Sequence, residues 1–252
     1  MPRFFVRQNQ IENGTIKLMG DDAHHIARSL RMAVGEYLTV CDMQGNQYEC
    51  EVSDFDEDKA VYARILTVSH IDTESPCRIR LFQALSKGDK LDTVIQKSVE
   101  CGVYSITPFE SERCVVRMKD GAEDRKTERR RRIAAEAAKQ CGRGILPEIG
   151  DTLTFVQMIE SASESDVVLF CYEGDGTQPL GRVINERLQP DSNGAYPSVS
   201  VIIGSEGGFS LSEVEMARAK GMQIVGLGKR ILRTETAPIF VLSALSYAIE
   251  LQ

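Results

Sequence analysis

The residues best suited to chemistry lie in two glycine-bearing segments of the C-terminal half of the chain. The first segment, IIGSEGGF, runs from Ile202 to Phe209 and contains Glu206. The second, LGKRILRTETA, runs from Leu227 to Ala237 and contains Arg233 and Glu235. A guanidinium donates two fixed, parallel hydrogen bonds to a negative group, and a carboxylate accepts a proton or orients an arginine. These side chains indicate a site that handles charge in a reacting group.

Known phosphate-binding patterns are missing from both segments. Neither contains G-x-x-x-x-G-K-[ST] or G-x-G-x-x-G, and Glu206 would repel a phosphate held in the first segment. An NTPase or a Rossmann dehydrogenase is therefore disfavoured. Gly204, Gly207 and Gly228 are expected to act through backbone shape alone, because glycine lets a ligand approach the main chain closely.

Each segment follows an apolar run of strand type and precedes a helix. Val199–Ile203 leads into the first segment and Ile224–Leu227 into the second. Ser210 and Glu213 form a predicted capping box for the first helix, whereas the second helix is predicted over Ala237–Leu251. Two such corners place free backbone groups at the carboxyl ends of parallel strands, where open α/β sheets bind ligands. The alternative is a pair of ordinary strand–helix turns, against which the charged residues argue.

Residues 1–72 predict a small β domain. Strand-like runs at Tyr37–Asp42 and Gln47–Val52 flank a glycine–asparagine turn, which is typical of a hairpin. A third run covers Ala60–Val68, and Thr73–Pro76 marks the linker. These patterns by themselves fit either a small barrel or a small sandwich.

Strands and helices alternate along residues 73–252, which indicates an α/β domain with a mostly parallel sheet. The strands predicted here have short apolar runs of the buried type, and the helices have one apolar face. Besides the two runs before the glycine-bearing segments, the predicted strands are Ile79–Leu85, Val103–Pro108 and Val167–Cys171, and the predicted helices include Gly88–Cys101 and Glu123–Cys141.

Positive charge is concentrated in one part of an acidic chain. The net charge of -7 argues against a general nucleic-acid binder. Residues 75–143 nevertheless contain 16 basic and 10 acidic side chains, whereas the segments before and after are both acidic. This distribution favours one face that meets phosphates, with an affinity for naked RNA that is modest and sensitive to salt.

The sequence disfavours a membrane-spanning, a disulfide-bonded or a metal-binding protein. No apolar run reaches the ~18 residues of a membrane span, and the N-terminus shows no signal-peptide pattern. The 7 cysteines form no C-x-x-C pair and the 3 histidines are scattered, which predicts reduced thiols and no metal site. We therefore expect a cytoplasmic protein.

The ordered set of motifs resembles a known family. The glycine-bearing pair IGSEGGFS and LGKRILRTETA is similar to that of the SPOUT-class RNA methyltransferases, and further segments along the whole chain resemble the E-type enzymes of that class, which methylate N3 of a uridine in 16S rRNA. Two positions depart from the family pattern, Ser205 in place of proline and Cys101-Gly102 in place of Leu-Gly, and neither changes a charged group. The further segments are MPRFFV from Met1, HHI from His24 with Leu30-Arg31, QKSVECGV from Gln96, SER from Ser111 and EAAKQCGR from Glu136.

This resemblance implies a fold, a reaction and partners. The C-terminal domain, residues 73–252, would be a SPOUT methyltransferase domain with a deep trefoil knot, and residues 1–72 would be a PUA-like β-barrel that helps to hold RNA. The cofactor would be S-adenosyl-L-methionine. The substrate would be uridine 1498 of 16S rRNA within the 30S ribosomal subunit. The enzyme would be a homodimer without a metal.

The resemblance, together with the predicted strand ends, also implies the site residues. Arg233 and Glu206 are the candidate catalytic residues: Arg233 would stabilise negative charge on uracil, and Glu206 would act as a base or orient an arginine. The candidate cofactor-binding residues are Leu169, Cys171, Ile203, Gly204, Glu206, Gly207, Leu227, Gly228, Ile231, Leu232, Arg233, Thr236 and Ala237. The candidate RNA-binding residues are Arg3, Arg7, Arg28, Arg31, Lys87, Arg113 and Arg143.

Alternatives stay open for several of these residues and for the function. Arg233 could instead form a salt bridge with Glu235 or Glu206, and Glu206 could serve only the following helix through its dipole. Phe209 or Tyr172 could stack on the extruded uracil, or belong to the core. Arg129 to Arg132 could be a solvated helix face or contact phosphates. The rival functions are a ribosome-associated RNA-binding protein without catalysis and a SPOUT methyltransferase of transfer RNA.

Overall fold

The computed structural model describes residues 1–56, 60–117 and 123–251. The chain forms two compact units. The first consists of Met1–Glu74 together with Ala138–Leu146, and the second of Ser75–Ala137 together with Pro147–Gln252. The chain therefore contributes to the first unit twice.

The first unit is built around a mainly antiparallel sheet. The strands are β1 Arg3–Phe5, β2 Ile11–Glu12, β3 Thr15–Leu18, β4 Tyr37–Cys41, β5 Asn46–Phe55 and β6 Val61–His70. Their order across the sheet is β1-β4-β5-β6-β3-β2; β1 pairs with β4 in parallel and the other neighbours are antiparallel. A short helix α1, Gly20–His24, continues into a π-helical turn at His25–Ser29.

The predicted hairpin is confirmed as β4 and β5. Its register pairs Tyr37 with Glu51 and Cys41 with Gln47. In the connecting turn the Asp42 carboxylate accepts hydrogen bonds from the Gln44 and Asn46 backbone N–H groups. Burial acts to raise the pKa of Asp42, but these and further hydrogen bonds outweigh it and hold that pKa below its usual value. The middle of β5 buries alternate residues, whereas β4 buries four consecutive residues from Leu38 to Cys41. The core of this unit includes Phe4, Ile16, Leu18, Leu38, Val40, Val52 and Val61.

The second unit is built around a parallel sheet. Its strands are β7 Ile79–Ala84, β8 Ser105–Glu110, β9 Glu148–Ile149, β10 Leu153–Thr154, β11 Val167–Cys171, β12 Gln178–Pro179, β13 Val199–Ile203 and β14 Gln223–Gly226. Their order across the sheet is β10-β8-β7-β13-β11-β14-β12, and β9 pairs with β8. In the part of the chain that the structure describes, each pairing in this sheet is parallel. The predicted α/β class with a parallel sheet is therefore confirmed.

Helices connect these strands. The predicted capping box of helix α6, Leu211–Ala219, is confirmed. The Ser210 hydroxyl accepts from the Glu213 N–H at 3.4 Å, and the Glu213 carboxylate accepts from the Ser210 N–H at 2.9 Å. Gly221 ends this helix at a φ of 74°, a conformation that favours glycine. The helices are α2 Lys90–Glu100, α3 Glu123–Cys141, α4 Phe155–Ala162, α5 Leu180–Arg187, α6 Leu211–Ala219 and α7 Ala237–Glu250.

An aromatic cluster fills the core beneath the first glycine-bearing segment. Phe209 is 1% exposed, and its ring centroid lies 4.2 Å from that of Phe170 and 6.3 Å from those of Phe109 and Phe155. Phe209 therefore belongs to the core, which decides against its stacking on a base. The trefoil knot stays a prediction. Within the described ranges, no helix combines the length and the apolar character that a membrane span requires.

Candidate functional site

A cavity of about 460 Å³ lies in the second unit, where β11, β13 and β14 end. Three chain segments form most of its lining, one after β11, one after β13 and one between β14 and α7, and Lys90 of α2 adds to them. The two glycine-bearing corners are thus brought together, as predicted. Of the candidate cofactor-binding residues, those that line the cavity are Cys171, Ile203, Gly204, Glu206, Leu227, Gly228, Ile231, Leu232, Arg233 and Ala237.

Three of the candidate cofactor-binding residues are not among the residues that line the cavity. Leu169 is 0% exposed inside β11 and belongs to the core. Gly207 lies on the surface beside Arg113, whose guanidinium donates to the Gly207 carbonyl at 3.2 Å. Thr236 is exposed immediately before α7. The cavity has additional lining residues outside the predicted set, among them Lys90, Tyr172, Glu173, Thr177 and Ser205.

The first corner is a tight turn that requires glycine at Gly208. The Gly208 N–H donates to the Ser205 carbonyl at 3.0 Å, and Gly208 has a φ of 65°. A Cβ at this position would collide with the carboxylate of Glu173. Ser205 is 6% exposed, and its hydroxyl makes no hydrogen bond to any described residue. The corner therefore leaves one polar atom unpaired beside the cavity.

A side chain at Gly204 would point toward the core. A Cβ there would lie 3.1 Å from the Phe209 ring. A larger residue at Gly204 would therefore press on the aromatic cluster.

The second corner is fastened to the first by Thr234. The Thr234 hydroxyl donates to the Gly204 carbonyl at 2.7 Å and accepts from the Gln83 amide at 3.0 Å. Thr234 and Gln83 are both buried. Because β7 carries Gln83, the second corner is held against both the sheet and the first corner. This contact depends on residues far apart in the sequence, and no local pattern announces it.

Arg233 combines a fixed backbone with an exposed side chain. Its carbonyl accepts from the N–H groups of Thr236 and Ala237, both at 2.9 Å, where α7 begins. Its side chain is 83% exposed, and Nη1 lies 4.0 Å from Oε1 of Glu235. An exposed pair at that distance contributes little stability. The guanidinium is therefore available to a substrate, and the salt-bridge alternative is the weaker interpretation.

Glu206 is bound to a lysine that the sequence did not single out. Its Oε1 accepts from Lys90 Nζ at 2.8 Å and from the Lys87 backbone N–H at 3.2 Å. Partial burial acts to raise the pKa of Glu206, but the Lys90 and backbone hydrogen bonds outweigh it, and the net shift is downward. A carboxylate with a lowered pKa is a poor proton acceptor. The geometry therefore favours orientation over general-base catalysis for Glu206.

Cys171 lines the cavity without being reactive. Burial strongly raises the pKa of its thiol. The neutral thiol is a weak nucleophile, because the thiolate is the reactive form. Cys171 therefore contributes apolar surface to the cavity.

The candidate RNA-binding residues of the second unit lie on its surface. Lys87 and Arg113 are both exposed, and each contacts the first corner through the hydrogen bonds described above. On α3, Arg131 and Arg132 are exposed, whereas Arg130 is 6% exposed and donates to the Thr152 hydroxyl at 3.2 Å. The face of α3 is therefore only partly available to phosphates.

The candidate RNA-binding residues of the first unit differ from one another. Arg7, Arg28 and Arg31 are exposed. Arg3 is half-buried and donates to the Cys41 thiol at 2.9 Å.

Arg143 has a structural place within the first unit. It is 5% exposed, and its guanidinium donates to Oε2 of Glu74 at 2.6 and 3.1 Å. Glu74 also accepts from the Gly144 N–H at 2.9 Å. A buried guanidinium that is bound in this way offers no surface to a phosphate. The burial of Arg143 therefore argues against its expected contact with RNA.

No group of three or more metal-ligating side chains occurs among the residues that the structure describes. The cysteines at positions 41, 50, 77, 101, 114, 141 and 171 are all free thiols. The site consists of backbone groups, hydroxyls, carboxylates and cationic side chains.

Two domain families match the chain. The RNA methyltransferase domain matches residues 73–246. The RNA methyltransferase PUA domain matches residues 18–66. The first match covers the whole region that carries the cavity.

Relatives match over the full length of the chain. Ribosomal RNA small subunit methyltransferase E of Bacillus subtilis is 34% identical over 254 residues, covering 100% of this chain and 98% of the relative. The protein of the same name from Synechocystis is 30% identical over 98% of this chain and 78% of the relative.

Solved structures agree. Ribosomal RNA small subunit methyltransferase E from Neisseria gonorrhoeae, bound to S-adenosyl methionine, has a TM-score of 0.82 and 31% identity, covering 98% of this chain and 97% of that one. A putative methyltransferase from Legionella pneumophila, in complex with the bound cofactor SAM, has a TM-score of 0.85 and 32% identity over the same shares. The resemblance inferred from the motifs is confirmed: this chain belongs to the RNA methyltransferase family, in the group of ribosomal RNA small subunit methyltransferase E.

Proposed function

We propose that this protein transfers a methyl group from S-adenosyl-L-methionine to N3 of uridine 1498 in 16S rRNA, within the 30S subunit. The observation that carries the proposal is the cavity between the two glycine-bearing corners, with the exposed guanidinium of Arg233 at its edge. Full-length similarity to ribosomal RNA small subunit methyltransferase E supports the rRNA substrate. The position of the nucleotide and the 30S context rest on the motif resemblance.

The residues around the cavity fit S-adenosyl-L-methionine. Its volume of about 460 Å³ lies in the range of sites for small molecules. Ile203, Leu227 and Ile231 offer apolar surface to an adenine ring, and the backbone of both corners offers donors and acceptors to its polar edges. The Ser205 hydroxyl and Oε2 of Glu235 are buried and make no hydrogen bond to a described residue, so polar capacity is left beside the cavity.

Cys171 also fits a sulfonium cofactor. S-adenosyl-L-methionine, when bound, supplies an activated methyl group that a thiolate would attack. Burial raises the pKa of the Cys171 thiol, so it stays protonated near neutral pH. The site therefore presents no competing nucleophile at this position.

Arg233 is the proposed catalytic residue. The N3 proton of a uracil has to pass to a base in the solvent before N3 takes the methyl group, and negative charge then develops at the O2/O4 edge. A planar guanidinium donates two parallel hydrogen bonds to such an edge. Removing one donor of this kind typically costs about 10²–10³ in rate. The fixed backbone of Arg233 reduces the reorganisation that this interaction requires.

The RNA is proposed to approach over the exposed basic residues. Lys87 and Arg113 lie at the first corner, where they can hold phosphates near the extruded uridine. We propose residues 1–72 as a PUA-like RNA-binding domain and residues 73–252 as the methyltransferase domain. Arg7, Arg28 and Arg31 of the first are exposed. An rRNA substrate implies a cytoplasmic enzyme.

We also propose a homodimer, formed through α7. This helix leaves Phe240, Tyr247 and Leu251 at its end 44%, 59% and 72% exposed. An apolar groove of about 470 Å³, lined by Leu180, Ile184 and Phe240 among others, adjoins the helix. Exposed apolar surface of this kind is typical of an interface, and C2 dimers are the commonest oligomers. Light scattering tests the dimer, and a stable, active monomer would contradict it.

The test of the function compares three RNA substrates. Purified protein is incubated with methyl-labelled S-adenosyl-L-methionine and 30S subunits, naked 16S rRNA or transfer RNA, and the modified nucleotide is identified by mass spectrometry. We expect 3-methyluridine at position 1498, formed fastest in 30S subunits. Transfer to tRNA alone would replace the proposal with a tRNA methyltransferase. Cofactor binding and methyl transfer that are both absent would indicate an RNA-binding protein without catalysis.

A further inference from the structure

We propose that Lys90 is a positioning residue of this site, whose ammonium holds the carboxylates of both glycine-bearing corners, Glu206 in the first and Glu235 in the second. Lys90 belongs to neither corner: it is the first residue of α2. The inference rests on the proposed function and adds the residue that aligns its two halves.

Lys90 lies between the two carboxylates. Its Nζ is 2.8 Å from Oε1 of Glu206 and 3.9 Å from Oε2 of Glu235. The Lys90 side chain is 35% exposed and lines the cavity. One ammonium has three donors, so it can serve both carboxylates and still face the cavity.

Glu235 needs such a cation. Its Oε2 is buried and makes no hydrogen bond within the described part of the chain. A buried charged oxygen without a partner is costly, whereas a neighbouring ammonium offsets that cost. Oε1 of the same carboxylate lies 4.0 Å from Nη1 of Arg233. Lys90 therefore acts on the carboxylate that neighbours the proposed catalytic guanidinium.

The position of Lys90 in α2 contradicts the usual charge preference of a helix. The N-terminus of a helix carries partial positive charge and favours acidic residues in its first turn. A lysine at the first position is disfavoured locally, so its reason must be sought in tertiary contacts. Local rules are broken most often where function requires it.

Glu206 accepts hydrogen bonds from two donors near the start of α2. Its Oε1 accepts from the Lys87 N–H as well as from the Lys90 ammonium. These hydrogen bonds keep the pKa of Glu206 below its ordinary value despite partial burial. The result is a row of alternating charges: Arg233, Glu235, Lys90 and Glu206. Displacing Lys90 would release the Glu206 and Glu235 carboxylates, one in each corner, and leave both without the cation that they share.

The test uses Lys90→Met, Lys90→Arg and the matched control Lys97→Met. Lys97 lies on the same helix and pairs with Glu100 at 2.8 Å, with a side chain 45% exposed. Calorimetry gives the affinity for S-adenosyl-L-methionine. Steady-state kinetics with 30S subunits separates kcat from KM and yields the pH profile. Circular dichroism checks folding.

Lys90→Met is expected to lower kcat by about 10- to 100-fold, because misplacing catalytic groups has effects of that size. KM for the RNA should change little, and the affinity for the cofactor should fall severalfold. The acid limb of the pH profile should move to higher pH, because losing Lys90 raises the pKa of Glu206 toward its ordinary value. Lys90→Arg should restore part of kcat, and Lys97→Met should resemble the wild type.

A double-mutant cycle separates positioning from general destabilisation. If Lys90 acts through Glu235, the double variant K90M/E235Q should lose little more activity than K90M alone. Wild-type kcat, cofactor affinity and pH profile in Lys90→Met would overturn the proposal. If Lys90→Met fails to fold, Lys90→Arg decides through kcat and the pH profile. If the wild type methylates none of the RNAs, the proposed function falls, while the cofactor affinities of K90M and K97M still decide the role of Lys90.

Discussion

The loop around Arg143 and the corner around Arg233 place an arginine in opposite environments. Arg143 is 5% exposed and its guanidinium is bound to the Glu74 carboxylate at 2.6 Å. Arg233 has a side chain that is 83% exposed, with its carboxylate neighbour Glu235 at 4.0 Å. The first guanidinium is fully used by the fold of its own unit. The second is held at its backbone and free at its tip.

The difference teaches which arginine the protein can use on a substrate. A buried guanidinium that is hydrogen-bonded to a carboxylate resists removal of that carboxylate, because its own charge is then left uncompensated. An exposed guanidinium contributes little to stability but is placed to bind negative charge that develops in a reaction. Burial and partners, rather than residue type, separate structural arginines from functional ones here.

Arg143→Ala should have the largest effect on the fold. It leaves Glu74 without its guanidinium partner, although the Glu74 side chain is 24% exposed and still accepts from the Gly144 N–H. Losing hydrogen bonds to a charged group in such a setting costs about 1–3 kcal/mol in the free energy of unfolding. Urea denaturation measures it. Arg28→Ala, an exposed arginine of the same unit, is the control and should change that free energy by less than about 0.5 kcal/mol. Equal stability of the two variants would contradict the structural role of Arg143.

Arg233→Ala should have the largest effect on the reaction. We expect methyl transfer to fall by about 10²–10³, through loss of one transition-state donor, with no change in the urea midpoint. Single-turnover transfer to 30S subunits provides the rate. Arg233→Lys should rescue poorly, because an ammonium cannot reproduce two parallel hydrogen bonds. Near wild-type turnover by the lysine variant would show that charge is sufficient at this position.

Gly204→Val tests whether a side chain at the first corner presses on the core or fills the cavity. A valine here would press on the Phe209 ring, since the Cβ alone would lie 3.1 Å from it. Overpacking of a core costs about 1–3 kcal/mol. Lower stability should therefore accompany any loss of cofactor affinity, which differential scanning fluorimetry and calorimetry together report. An unchanged melting temperature with abolished binding would mean that the side chain points only into the cavity.

Asp42→Asn should have the smallest effect on stability. It tests a carboxylate in the way that the preceding variants test arginines. The folded-state pKa of Asp42 is lowered by hydrogen bonds in the β4–β5 turn. Its contribution to stability is therefore present above its unfolded pKa and is lost as the pH falls through the folded value, below its ordinary 3.8. Urea midpoints between about pH 3 and about pH 6 should decline less steeply in Asp42→Asn than in the wild type. Identical slopes would contradict a stabilising carboxylate.

The elements that could be predicted have local causes. The capping box at Ser210 and Glu213 and the hairpin of β4 and β5 are encoded within a few neighbouring residues, and both are confirmed. Two-residue strands such as β9 and β12 went unrecognised, because a pair of residues has no periodicity. Helices α4 and α5 were also missed, although α4 begins with a capping box at Thr154 that could have been found.

The sequence predicted the two glycine-bearing corners of the site. It did not predict the side chains that other elements bring to them. Most of the candidate residues in the glycine-bearing segments line the cavity, because strand ends of a parallel sheet meet at one edge. Lys90 is separated from Glu206 by 116 positions, and Arg143 from Glu74 by 69. Contacts over such distances depend on tertiary packing, and a single sequence shows neither of them. The sequence therefore could not show that Arg143 is buried and structural whereas Arg233 is exposed.

The most direct test applies both assays to both arginines. The unfolding free energy from urea denaturation and the single-turnover rate of methyl transfer to 30S subunits are measured for Arg143→Ala and Arg233→Ala, with the rate expressed per folded molecule. We predict that Arg143→Ala loses stability while its folded fraction keeps most of its rate, and that Arg233→Ala keeps its stability and loses about 10²–10³ in rate. A folded Arg233→Ala that transfers methyl at nearly the wild-type rate would contradict the account.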